Sequence, residues 1–132
     1  MTDEPDVEPS SVLVVDGDIV SRHVIADYLR HCAYRVVEAA NTDEALIALG
    51  EPTLSVDVIL CDVSALGSKN GFQLATWVRA NRPELEVRLA GGVEMAAETA
   101  AELCEIGPRL KRPYEPEAVV NYIKRLRASR PA

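Results

Sequence analysis

Two short apolar runs, each closed by a carboxylate, constrain this chain most. Ser11–Val15 reads SVLVV and meets Asp16; Val56–Cys61 reads VDVILC and meets Asp62. After Asp57 nothing polar interrupts the second run. Successive side chains on a strand point to opposite faces, so such a run is buried on both. Strands of this kind belong to parallel sheets covered by helices, and in open sheets chemistry collects at the strands' carboxyl ends.

The rest of the chain supplies the helices. Val20, Val24, Ile25 and Tyr28 recur at helical spacing behind Asp18, which caps a helix ending near His31 or Cys32. Tyr34–Val37 reads as a second strand, and Asn41 with Glu44 as a capping box opening a helix closed by Gly50. After the strand at 56–61 and a loop at 64–70, Gly71–Ala80 forms a third helix with Phe72, Leu74, Ala75, Trp77 and Val78 as its apolar residues. Leu85–Ala90 is a fourth strand, broken by Gly91 and Gly92. Val93–Cys104 is a helix rich in Ala and Glu, with a light apolar payload and loose packing expected beneath it. Ile106–Leu110 reads as a fifth, weaker strand, with Gly107 and Pro108 inside it. Pro116 opens a last helix striped by Val119, Val120, Ile123 and Leu126. Five strand–helix units predict a doubly wound α/β fold of the flavodoxin-like type: a five-stranded parallel sheet, order 2-1-3-4-5. That order makes Asp16 and Asp62 near neighbours at one sheet edge.

The chain has 132 residues, and its size suits one domain. Residues 1–10 read as an acidic flexible tail, 11–128 as the domain and 129–132 as a C-terminal tail. The net charge of −7 argues against direct nucleic-acid binding. No apolar run approaches the roughly 20 residues of a membrane helix, and the N-terminus lacks a signal-peptide pattern. Cys32, Cys61 and Cys104 are odd in number and widely spaced, which reads as reduced, buried thiols in a cytoplasmic protein. His23 and His31 read as surface or packing residues, and the bases between Arg109 and Arg130 as a solvated helix face.

Two adjacent strand-end carboxylates repel each other, and Mg²⁺ favours such a pair together with waters and a phosphate. A carboxylate beside Mg²⁺ is placed to attack phosphorus. Lys111 and Arg112 are the bases available to hold the phosphoryl oxygens; being adjacent, they face opposite ways on a strand.

VLVVDGD at 12–18, VVEAANTDEAL at 36–46, VILCDVSALGSKNGF at 58–72 and KRPYEPEAV at 111–119 resemble the receiver domain of bacterial two-component response regulators. The resemblance runs from about Val12 to Leu126. It implies phosphorelay signal transduction rather than enzymic turnover: a histidine kinase or phosphotransfer protein donates a phosphoryl group to Asp62, with Mg²⁺ held by Asp16, Asp62, the backbone carbonyl of Ser64 and, weakly, Asp18. With the chain ending soon after the last helix, the resemblance reads as a stand-alone receiver. It also implies a homodimer face on helix four, strand five and helix five.

The departures are specific. The second acid after strand one is Gly17, which weakens the metal site. The hydroxyl residue at the end of strand four is replaced by Ala90 and Gly91. The usual Lys before Pro113 is Arg112, and the aromatic position three residues earlier is Arg109. The alternative is therefore a phosphorylation-independent pseudo-receiver serving as a protein-interaction module. VVDGDIV also fits the opening of haloacid-dehalogenase-type phosphatases, with Asp16 as nucleophile and Asp18 as acid/base, but the order is wrong: the Asp57/Asp62 pair precedes Lys111, and only Glu115 and Glu117 follow it.

Overall fold

A computed structural model describes residues 11–106 and 115–129. Its elements are β1 (Ser11–Val15), α1 (Ile19–His31), β2 (Arg35–Ala39), α2 (Thr42–Leu49), β3 (Val58–Asp62), α3 (Gly71–Asn81), β4 (Glu86–Ala90), α4 (Val93–Glu105) and α5 (Pro116–Ala128). The described strands form a parallel sheet in the order β2-β1-β3-β4. This agrees with the expected order as far as β4. The expected fifth strand falls mainly on 107–110, outside the described residues; its first residue, Ile106, is the C-cap of α4.

The two apolar runs do what their composition requires. Val12, Leu13 and Val15 of β1 and Ile59 and Cys61 of β3 are fully buried. Their side chains alternate between two cores. Val12, Val14 and Leu60 join one with Tyr28, Leu29 and Ile123, while Leu13, Val15, Ile59 and Cys61 join the other with Leu49, Leu74 and Val78. Helices α1, α4 and α5 thus cover one face, and α2 and α3 the other. A right-handed crossover from β4 to a strand beyond it would lay α4 beside α2 and α3. Instead Ala97, Ala100, Ala101 and Leu103 of α4 pack into the core of α1. The light payload of α4 is real, its buried face being mostly alanine. Phe72, expected among the apolar residues of α3, is 59% exposed, whereas Trp77 is half-buried against the second core.

The cysteines correct the sequence reading. Cys32, at the C-cap of α1, and Cys104, near the end of α4, are disulfide-bonded across 72 residues, with Cα atoms 5.4 Å apart. The packing of α4 on α1 brings together positions whose spacing gave no sign of pairing. Cys61 is a free, buried thiol, as expected. No helix among the described residues is long and apolar enough to cross a membrane.

Candidate functional site at the ends of β1 and β3

β1 and β3 run parallel, with Val15 opposite Cys61, so Asp16 and Asp62 emerge side by side at their carboxyl ends. Asp62 is the last residue of β3 and pairs with Ala90 of β4. Both carboxylates line a cavity of about 100 Å³, shared with Asp18, Ser21, Ala90, Gly92 and Arg127. The adjacency expected from strand order is therefore present.

Local structure fixes each group. The backbone of Asp16 is held from both sides: its amide donates to the Ala39 carbonyl at 3.1 Å, and its own carbonyl accepts from Arg22 Nη1 at 3.0 Å. Asp16 Oδ1 accepts the Asp18 amide at 2.9 Å. Burial pushes the Asp16 carboxyl above its ordinary value; the Asp18 amide opposes that shift and the charge of Asp62 adds to it. Asp62 Oδ1 accepts the Ser64 amide at 3.2 Å. Behind it, Gly71 lies so close that a Cβ there would come within 2.7 Å of the Asp62 carbonyl oxygen. Only glycine lets α3 begin against the end of β3 in this way. Burial first, then Asp62 and Asp16, push the neighbouring Cys61 thiol up to about 12, which leaves it un-ionised.

Asp18 caps α1, as the sequence predicts, by accepting the Val20 amide at 3.3 Å. Its carboxylate has further partners: Ser21 Oγ donates to Oδ2 at 2.9 Å and Arg127 Nε at 2.8 Å. Burial alone would raise its pKa; the bonds from Arg127 and Ser21 outweigh burial and hold it below the ordinary range. Arg127, one of the bases that the sequence assigns to a solvated face, is instead part of the site. Spacing held the signal: Val120, Ile123 and Arg127 follow one another at helical intervals, so Arg127 extends the buried stripe. Lys124, by contrast, pairs on the surface with Glu94 at 3.4 Å, and Arg125 lies over the Tyr122 ring.

The remaining candidates divide clearly. Ala90 is buried and presents only a methyl group to the cavity; Gly91 is exposed beside Val63. Arg109, Lys111 and Arg112 lie outside the described residues. His23 pairs with Glu38 at 3.2 Å, and His31 Nδ1 lies 2.8 Å from the Asp27 carbonyl, both away from the cavity. Among the described residues no group of three or more His, Cys, Asp or Glu side chains is gathered as a ready metal cage.

A family model described as the response regulator receiver domain matches residues 12–124. The chain belongs to this family. Receiver domains are phosphoacceptor signalling modules of two-component systems, not enzymes, so the phosphatase reading of Asp16 and Asp18 is set aside. This receiver is 40% identical over 52 residues to the rice (Oryza sativa) two-component response regulator-like PRR37, an alignment covering 39% of this chain and 7% of that protein. It is 27% identical over 96 residues to the regulatory protein VirG of Agrobacterium fabrum, covering 73% of this chain and 36% of VirG. The chain thus spans a minor part of these relatives. Its fold superimposes on a response regulator receiver domain protein from Clostridium thermocellum with a TM-score of 0.59 at 21% identity, over 90% of this chain and 98% of that one.

Proposed function

We propose that Asp62 accepts a phosphoryl group from the phosphohistidine of a histidine kinase or phosphotransfer protein. The observation that carries this reading is the pairing of Asp62 with the half-buried, charge-repelled Asp16 at the ends of adjacent parallel strands, on one cavity. In the step, an Asp62 carboxylate oxygen bonds to phosphorus, the phosphorus–nitrogen bond breaks, and its electron pair leaves on the imidazole nitrogen. The Ser64 amide and the Asp16 backbone contacts keep the two strand ends in register for it.

Mg²⁺ suits the donors that remain. Asp16 carries the cost of burial and of repulsion by Asp62, which a cation between them would relieve. Asp16, Asp62 and the Ser64 carbonyl would hold the ion, which would neutralise the phosphoryl oxygens. Asp18 is committed to Arg127 and Ser21, and Gly17 offers no carboxylate, so the set is one acid short.

That commitment of Asp18, with Ala90 where a hydroxyl is expected, favours a second reading: a pseudo-receiver that binds partners without phosphorylation. Incubation with acetyl phosphate and Mg²⁺ separates the two. The first reading predicts a gain of one phosphoryl mass that hydroxylamine removes and Asp62→Asn prevents. The second predicts no gain, and signalling in cells unaffected by Asp62→Ala.

A further inference from the structure

We propose that Arg127 is the cation that receives the phosphoryl group on Asp62, and that its move from Asp18 to the phosphoryl oxygens carries the event to α5. This rests on the reading of Asp62 as acceptor.

Arg127 sits in the last turn of α5, and its side chain reaches the start of α1. Nε and Nη2 both bond Asp18 Oδ2, and Nη2 also bonds Ser21 Oγ. The guanidinium is partly desolvated, with 41% of the side chain exposed against 26% for Asp18. It lines the cavity that Asp62 and Asp16 line, and among the described residues it is the only cation there. Its charge is felt across the cavity at Asp16. The opposite wall, at Ala90 and Gly92, has no side-chain donor for a phosphoryl oxygen.

A phosphoryl group on Asp62 brings added negative charge and several strong acceptors into this cavity. A guanidinium engages phosphate through parallel N–H donors, a better match than one shared carboxylate oxygen. No covalent bond changes at Arg127; it exchanges acceptors, and Asp18 keeps the Val20 amide and Ser21 hydroxyl. Because Arg127 belongs to the last turn of α5, the exchange pulls on the contact of α5 with α1 and α4. The path substitutes for the hydroxyl absent at Ala90.

The test uses the full chain, acetyl phosphate and Mg²⁺, with the Arg127 Nε–H resonance followed by NMR and label gain by mass. Labelling of Asp62 is expected to shift that resonance, and Asp62→Asn to leave it in place. Arg127→Ala is expected to slow labelling by about tenfold or more, Arg127→Lys by less. If Arg127→Ala does not fold, the wild-type resonance and Arg127→Lys decide. An Asp62 labelled at the wild-type rate in both variants, with the resonance unmoved, overturns the proposal; so does Arg112→Ala reproducing the whole effect. If wild-type Asp62 takes no label, the acceptor reading itself fails first, and this one with it.

Discussion

From Ser11 to Asn81 every helix begins on a side-chain cap: Asp18 for α1, Asn41 for α2 and Asn70, in a full capping box with Gln73, for α3. Beyond Ala90, α4 starts at Gly92 and α5 at Glu115 with no side-chain cap bond. The buried side chains that each region contributes differ in size. Around β1 and β3 the buried side chains are large, with Tyr28, Leu13, Ile25, Leu29, Ile59 and Leu74 all sealed from solvent. The face of α4 offers mostly alanine, Ala97, Ala100 and Ala101, with Leu103 as its one large buried side chain among the described residues. The first region, which carries Asp16 and Asp62, is the better capped, and the second, with fewer cap bonds, is expected to open at lower cost. Links between them include the Cys32–Cys104 disulfide, the Arg127–Asp18 ion pair and the hydrogen bond that the Tyr34 hydroxyl donates to the Leu103 carbonyl.

Cutting the first link should produce the largest effect. Reduction is expected to cost about 2–4 kcal/mol of stability, since the bridge closes a long loop. Hydrogen exchange should show the loss concentrated in α4 and α5, with β1 and β3 still protected; uniform loss would break the contrast between the regions. Next, Gly71→Ala attacks the rigid region directly. Its Cβ meets the Asp62 carbonyl and the Val63 backbone, and overpacking there should cost about 1–3 kcal/mol in urea unfolding, with impaired labelling of Asp62.

A smaller effect, of defined sign, belongs to Asp16. Its folded pKa is raised by burial and by Asp62, so the unfolded chain ionises first as pH rises. The stability linked to Asp16 is complete below the ordinary carboxylate value and is lost as pH climbs through the raised one. Asp18 and Glu38 are shifted the other way, so the comparison must be between variants. Asp16→Asn should be more stable than wild type at neutral pH, with the advantage vanishing at acid pH, while losing its response to Mg²⁺.

Legibility followed the same division. The runs SVLVV and VILC carried strand type, burial and the placing of Asp16 and Asp62, because short apolar runs closed by turn signals fit strands buried on both faces, although β3 begins at Val58 rather than at Val56. Asp18, Asn41 and Pro116 marked helix starts through cap chemistry that is local in sequence. The side of the sheet taken by α4 was not legible: an alanine face fits either core, and helical period says nothing about which one. Cys32 and Cys104 could be paired only once that side was known. Arg127 was hidden by composition, a base among bases, although its position on the Val120–Ile123 stripe set it apart.

In the proposed function Asp62 is a phosphoacceptor whose metal site lacks one carboxylate, at Gly17. Gly17 is exposed, and a Cβ there would meet only the Ala40 carbonyl, at an ordinary 3.6 Å, so the backbone accepts a side chain at this position. The decisive measurement is the Mg²⁺ dependence of Asp62 labelling by acetyl phosphate in wild type and Gly17→Asp. The half-saturating Mg²⁺ concentration is expected to fall on the order of tenfold in the variant, with labelling still abolished by Asp62→Asn. An unchanged Mg²⁺ dependence, or label that survives Asp62→Asn, would contradict it.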